Sequence, residues 1–294
     1  MRSKISMQDV VSTSRRLPIR LVYHAVPGFG KTSFGAQFPA PIFLYDAAET
    51  GLETLIDSGQ LPETPHFPPV STWDEVIEAL GALTVETHNY QTLVIDTLGG
   101  LERLCHEHVC QKSFGGDWGE KGFAAYGRGP EQALAEWRGF LRSLDALREQ
   151  RRVRIVALAH TRITRFANPE GDDYDRYEPD VHRKTWSLTS RWADLILFGN
   201  YRTAVVKDGS RAKGRGGTQR LLYTERSSAW DAKHRHGLAP AITLGNSPEA
   251  AYGAFVDAMK AGAKAPASKP EPQEPQEQDA AVTIVAPDTT EGEE

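Results

Sequence analysis

Apolar residues in this chain gather in short runs that stop at a polar or small residue, and these runs alternate with stretches of helical spacing. Leu21, Val22 and Tyr23 begin the first run, which opens into a glycine-containing turn and a helix-compatible segment. Residues 41–45 (PIFLY), 91–96 (QTLVID) and 154–159 (RIVALA) read as three further buried strands; they end at the stretch Asp46 to Glu49, at Asp96 and at His160. Between them, residues 71–75 (STWDE) cap a helix running to about Leu83, and residues 98–111 form another. Residues 131–150 place Leu134, Trp137, Leu141, Leu144 and Leu147 at helical spacing. Strands alternating with helices predict a mostly parallel sheet covered on both faces.

After residue 160 the pattern changes. Residues 162–180 are polar and broken by Gly and Pro, so they read as a long loop, as do residues 114–130. A helix at 182–191 leads into the apolar run 193–198. Residues 203–207 and 219–225 then read as two strands joined by a basic glycine loop, 213–217, giving an antiparallel hairpin at the sheet edge. A last helix spans 247–261. Residues 1–16 are expected to be a flexible arm, 17–262 the folded domain, and 263–294, rich in Ala, Pro, Glu and Gln, a disordered tail.

Charge adds an asymmetry to this outline. The formal net charge is −5, yet residues 270–294 hold eight acids and no Lys or Arg, and removing those eight turns −5 into +3. A mildly basic body with an acidic tail tolerates a polyanionic partner. No apolar run is long enough to cross a bilayer and the first residues lack a signal-type apolar region, so a soluble, unexported protein without a membrane partner is expected. Cys105 and Cys110, five apart in a helix, would point to different faces, which fits a reducing compartment; the nearby His106 and His108 do not complete a zinc-type spacing, so a partly exposed helix face is expected there.

The chemistry begins in the first turn. Ala25, Val26, Pro27, Gly28, Phe29, Gly30, Lys31, Thr32 and Ser33 lie between a strand and a helix, the setting of a phosphate-binding P-loop. Gly28 and Gly30 let successive N–H groups face inward, Lys31 reaches terminal phosphates, and Thr32 offers a hydroxyl to Mg²⁺. The usual pattern starts with glycine where this chain has Ala25, and a small residue suffices. Asp96, ending an apolar strand, is the expected Mg²⁺ partner of Thr32. Glu49 is the candidate for polarising water toward the γ-phosphate of ATP, with Glu53 as its competitor; His160 is placed to sense that phosphate.

Residues 25–32, DAAETGL (46–52), TLVID (92–96) and ALAH (157–160) together resemble the core of RecA-like ATPases. Over residues 17–244 the chain is similar to phage-encoded AAA-type ATP-binding proteins that include RecA-like single-strand annealing proteins; DDYDRYEP (172–179) and AWDAKHRHGL (229–238) also look like that group. The resemblance implies a RecA-like P-loop NTPase fold, Glu49 as catalytic glutamate and His160 as polar sensor. It also implies that Lys233 and Arg235 act as a basic finger completing a neighbour's ATP site, so that the protein assembles into a ring or filament. Two loops would bind single-stranded DNA: Lys121 and Arg128, with Phe123 and Tyr126, in the first; Arg162, Arg165, Phe166, Arg183 and Lys184, with Tyr174, Arg176 and Tyr177, in the second. The implied role is ATP-dependent phage recombination or annealing in the cytoplasm of an infected bacterial host, with a single-strand-binding protein as a further partner. A DnaB-like helicase motor or loader is the alternative, and a small-molecule kinase a more distant one.

Overall fold

The computed structural model describes residues 17–208 and 211–264, together with Ser6, Met7 and Val10. The expected arm and acidic tail thus lie almost wholly outside the described residues. Five parallel strands make the centre: β1 (Arg20–Ala25), β2 (Pro41–Tyr45), β3 (Thr92–Asp96), β4 (Arg154–Phe166) and β6 (Leu195–Asp208), in the order β2-β3-β4-β1-β6. Two antiparallel strands, β7 (Arg211–Tyr223) and β8 (Ala241–Leu244), extend the β6 side, and β5 (Tyr174–Pro179) pairs with the outer half of β4.

The period of two in each strand sends neighbours to opposite faces, and both faces are covered. Val22, Leu93, Ile95, Ile155 and Ala157 point into one core. Above it lie α3 (Trp73–Val85), α4 (Leu98–Phe114), α5 (Arg128–Arg151) and α6 (Arg183–Trp192), where Trp73, Trp137 and Phe140 form one aromatic cluster. Leu21, Tyr23, Val94, Val156, Leu158, Leu195 and Leu197 point into the other core, beneath α1 (Lys31–Gly35), α2 (Gly51–Asp57) and α7 (Pro248–Lys264). The first turn of α3 is held by a capping box: the Glu75 N–H donates to Thr72 Oγ1 at 3.3 Å and the Thr72 N–H to Glu75 Oε2 at 3.1 Å.

Three expectations are corrected. Residues 162–180 are not an open loop: Thr161 to Phe166 pair with Tyr174 to Pro179 in a regular antiparallel hairpin. Its polar sequence hid it because this ribbon lies beyond the helical layers and is largely solvated, so no apolar face marks the period. The basic glycine stretch 213–217 is not a turn but part of β7, and the apolar run after residue 193 continues without a break into the outer half of β6. Glycine lowers strand propensity without preventing pairing when a partner strand supplies the ladder. Finally, Cys105 and Cys110 are both buried, because α4 lies against α3, α5 and the sheet and buries a face wide enough for both; they are free thiols.

One ion cluster ties β1 to β6 at the end of the sheet away from the P-loop. Asp194 accepts from Arg20 through its backbone N–H at 3.0 Å and its guanidinium at 2.7 and 3.2 Å, and from Arg148 on α5 at 3.1 Å. Asp194→Ala would leave two part-buried guanidiniums without this carboxylate, which costs about 2 kcal/mol. The expected result is a lower urea midpoint with an unchanged slope.

Candidate functional site

The carboxyl ends of the parallel strands converge, which is where open α/β sheets bind ligands. Tyr45 pairs with Asp96, Asp96 with Leu158, and Ala25 with His160, so β2, β3 and β1 end on one rim, where β4 parts from its parallel neighbours and continues into the hairpin with β5. Ala25 is the last residue of β1, bridged to both β4 and β6, and extended strand geometry there needs no glycine. The turn proper starts beyond it. Gly28 (φ 71°) and Gly30 (φ 84°) occupy the left-handed region that glycine enters without steric cost. Gly30 then caps α1, whose first N–H groups, on Lys31, Thr32 and Ser33, come before the first carbonyl of the helix can pair with them, as at the start of any helix.

Lys31 is buried, and its amine donates to the Ala25 carbonyl at 3.3 Å. Burial lowers its pKa, against the opposing pull of Asp96 and Glu49. Thr32 donates its hydroxyl to Asp96 Oδ2 at 2.6 Å. Asp96 is almost fully buried, and burial pushes its carboxyl up to about 6, with the Thr32 hydrogen bond opposing and Glu49 reinforcing the rise. A buried carboxylate and hydroxyl side by side are hard oxygen donors whose charge calls for a cation, so these residues fit Mg²⁺. A glycine turn leading into a helix N-terminus, with the buried ammonium of Lys31 beside it, fits a triphosphate.

Glu49 stands at the end of the β2–α2 turn. His160 Nε2 lies 3.2 Å from Glu49 Oε2, and this hydrogen bond is the main cause holding the Glu49 carboxyl below its ordinary value. Glu53, the competitor, lies in the first turn of α2 and accepts from Tyr45 Oη at 3.0 Å, so its carboxylate is engaged with the β2 side chain. Asp46 braces the Glu49 turn from below: its carbonyl accepts the Glu49 N–H at 2.9 Å, its Oδ1 accepts the Ala48 N–H at 2.7 Å, and Arg103 on α4 lies 3.3 Å from the same oxygen. A Cβ on Gly100 would fall 1.6 Å from Asp46 Oδ2, so α4 must present glycine there. Neither Arg103 nor Gly100 was marked by any motif.

His24, also missed from sequence, is fully buried at the penultimate position of β1. Its Nε2 donates to the Asp231 carbonyl at 2.9 Å, and its Nδ1 pairs with the Thr161 hydroxyl at 3.1 Å, next to His160. Burial pushes its pKa down to about 4, so it is neutral at physiological pH. The Asp231 carboxylate in turn holds the buried Arg176 of β5 at 2.5 Å and Trp186 Nε1 of α6 at 3.0 Å.

The remaining predicted residues are placed as follows. Lys233 pairs its backbone with Ile196 on β6, and its amine donates to the Ser190 carbonyl, while Arg235 is exposed. In the hairpin Arg162 pairs with Asp180 at 3.3 Å, Arg165 with Asp173 at 3.6 Å, and Phe166 lies under the Arg176 guanidinium. Lys184 is bonded to Glu131, whereas Arg183 is exposed. In the first segment Lys121, Tyr126 and Arg128 are exposed, and Arg128 lies over Phe114. Phe123 is buried against Trp118, Phe114 and His106, which removes it from the expected stacking set. Trp118, not anticipated, is half exposed at the same place. Among the described residues no group of three metal-type ligands occurs.

Strand, glycine turn, buried lysine and a carboxylate from a neighbouring parallel strand define a P-loop nucleotide-binding domain. The chain belongs to the AAA-domain family, whose model matches residues 17–236. No curated protein matches it. Among solved structures, the crystal structure of the RadB recombinase is similar with a TM-score of 0.43 and 12% identity, over 80% of this chain and 90% of that one. Among the described residues, no helix is long and apolar enough to cross a membrane.

The raised Asp96 pKa gives a stability test. A carboxyl lifted from 3.8 to about 6 by folding contributes stability that is full below pH 4 and is lost as the pH rises through 6. Asp96→Asn removes that loss, so the free protein at pH 7.5 should gain up to about 3 kcal/mol. The same variant should lose the rise in melting temperature produced by ATP with Mg²⁺. Thermal unfolding at pH 5 and 7.5, with and without ligand, checks both.

Proposed function

We propose that this chain is an ATP- and Mg²⁺-dependent ATPase that binds single-stranded DNA and acts in phage recombination or strand annealing. The observation that carries the catalytic half is the convergence of Lys31, Thr32–Asp96 and Glu49–His160 on one rim. Lys31 and the loop N–H groups bind and orient the terminal phosphates of ATP. Thr32 and Asp96 would hold Mg²⁺, which supplies charge neutralisation at the phosphate oxygens. Glu49, whose carboxylate form the His160 hydrogen bond favours, accepts a hydrogen bond from the attacking water and orients it in line. His160, at the start of the β4–β5 hairpin, links that carboxylate to an element projecting from the sheet.

The DNA half draws on the resemblance and on the exposed cations beside aromatic rings in residues 118–128, namely Lys121 and Arg128 with Trp118 and Tyr126. Arg183 adds an exposed cation next to the hairpin. Arg162, Arg165 and Lys184 enter a DNA contact only by exchanging their present acidic partners for phosphates. For a site completed by a neighbouring subunit in a ring or filament, Arg235 is the available cation, since Lys233 is held by Ser190. A single-strand-binding protein remains a proposed partner.

Glu49→Gln should lower ATP turnover by at least a hundredfold while leaving ATP affinity within about threefold, as expected for a group acting in the transition state rather than in binding. Steady-state hydrolysis and equilibrium titration of the same variant check this. Binding to a labelled single-stranded oligonucleotide at low salt, with and without ATP, checks the second half, and its absence in both conditions would remove the DNA-directed reading.

A further inference from the structure

The P-loop carries an unusual residue for a turn that must approach a ligand: Phe29 is almost fully buried. Its ring is accepted because β6 places glycine beside it, and a Cβ on Gly199 would come within 2.6 Å of Phe29 Cε1 and 2.8 Å of Tyr23 Oη. Two side chains from the antiparallel edge then close over the turn. Tyr201 on β6 and Arg220 on β7 are direct cross-strand partners, so they stand on the same face of the ribbon. The Tyr201 ring meets Phe29 edge-on at 5.2 Å, and its hydroxyl donates to the Gly28 carbonyl at 3.4 Å. The Arg220 guanidinium lies over the Phe29 ring at 4.8 Å and donates to the Phe29 carbonyl at 2.6 Å. Its other nitrogen donates to the Gly245 carbonyl at 3.1 Å, beyond the end of β8. Arg220 is therefore held at both ends of its fork.

We infer that Arg220, with Tyr201 opposite it, is a positioning residue for the phosphate cradle. A peptide plane carries its C=O and the following N–H on opposite sides. Holding the Phe29 carbonyl against the ribbon therefore turns the Gly30 N–H away from it, while the Phe29 N–H, which follows the Gly28 carbonyl, donates to the Val26 carbonyl at 3.3 Å and closes the turn. A charge-assisted bond from a planar, doubly anchored guanidinium fixes that orientation before the ligand arrives, which lowers the ordering cost of binding. Gly30 also leaves room for the clamp, since a Cβ there would meet Arg220 Nη2 at 3.2 Å. Arg220 acts through the turn, so its effect belongs to the polyphosphate and not to the base.

The inference rests on the nucleotide-binding reading of the turn, and one set of titrations separates the two. Wild type, Arg220→Ala, Arg220→Lys and Tyr201→Phe are titrated with ATP and with tripolyphosphate, each with Mg²⁺, and ATP hydrolysis is followed in parallel. Arg220→Ala should weaken both ligands by the same factor, about tenfold or more, and raise KM by more than it lowers kcat. Arg220→Lys, which keeps the charge but not the fork, should recover part of the loss. Tyr201→Phe should weaken both ligands less than Arg220→Ala, in keeping with its longer bond. Loss of ATP binding with tripolyphosphate unaffected would overturn the inference by making Arg220 a base contact, as would unchanged affinity for both. If Arg220→Ala does not fold, equal affinity of Arg220→Lys and wild type for both ligands would overturn it. Failure of the wild type to bind either ligand would instead overturn the nucleotide-binding reading.

Discussion

A buried ammonium and a buried carboxylate, brought to one rim by parallel strands, set the terms for the rest of this molecule. Lys31 and Asp96 each lose hydration on folding, and the opposite directions of their pKa shifts record that cost: the amine is pushed down, the carboxyl up. The surroundings must hold both in place rather than let them reach water. The strand β3 and the buried stretches 21–25 of β1 and 155–159 of β4 do so from beneath, while Thr32 supplies Asp96 with a short hydrogen bond. The same two cores that cover the sheet thus maintain a charged site whose free energy is unfavourable until a counter-ion and an anionic ligand occupy it.

The elements that build this site are those whose pattern was plain in the sequence. Strands buried on both faces leave continuous apolar runs, and PIFLY, TLVID and RIVALA end at or just before the candidate site residues. The P-loop was legible because its backbone geometry demands Gly28 and Gly30. Glu49 was named ahead of Glu53 from its position after the strand; the different surroundings of the two, His160 beside Glu49 and Tyr45 bonded to Glu53, were not legible. His24, Arg103 and Arg220 left no local signal at all. Each works through partners far along the chain, 207, 57 and 191 residues away for His24, Arg103 and Arg220 respectively.

Where the sequence misled, solvation was the cause. The β4–β5 ribbon leaves the helical layers at Thr161, so from that point neither face of the strand need be apolar, and alternation disappears although pairing continues. Its charges then neutralise one another: Arg162 with Asp180, Arg165 with Asp173 and Arg176 with Glu178. Asp173, Glu178 and Asp180 are thus counter-charges of the hairpin's own arginines. These pairs are solvated, Arg176 excepted, and exposed pairs contribute little stability, so they can be exchanged at small cost.

Arg176 is the exception that ties the hairpin down. It is buried, and its Asp231 partner also receives Trp186 through the carboxylate and His24 through the carbonyl. His24 in turn meets Thr161, the residue after His160, and sits two residues before the P-loop turn begins at Val26. The Tyr177 N–H, donating to the Ala229 carbonyl at 2.7 Å, adds a second tether between hairpin and segment. The hairpin, the segment carrying Lys233 and Arg235, and the strand leading into the phosphate turn therefore share one buried polar junction. Apart from Arg176 Nε, which is buried without a hydrogen-bond partner and lies 3.6 Å from Glu178, its named groups are hydrogen-bonded in a low-dielectric setting where losing a partner is expensive, so these three elements are constrained to move together rather than singly.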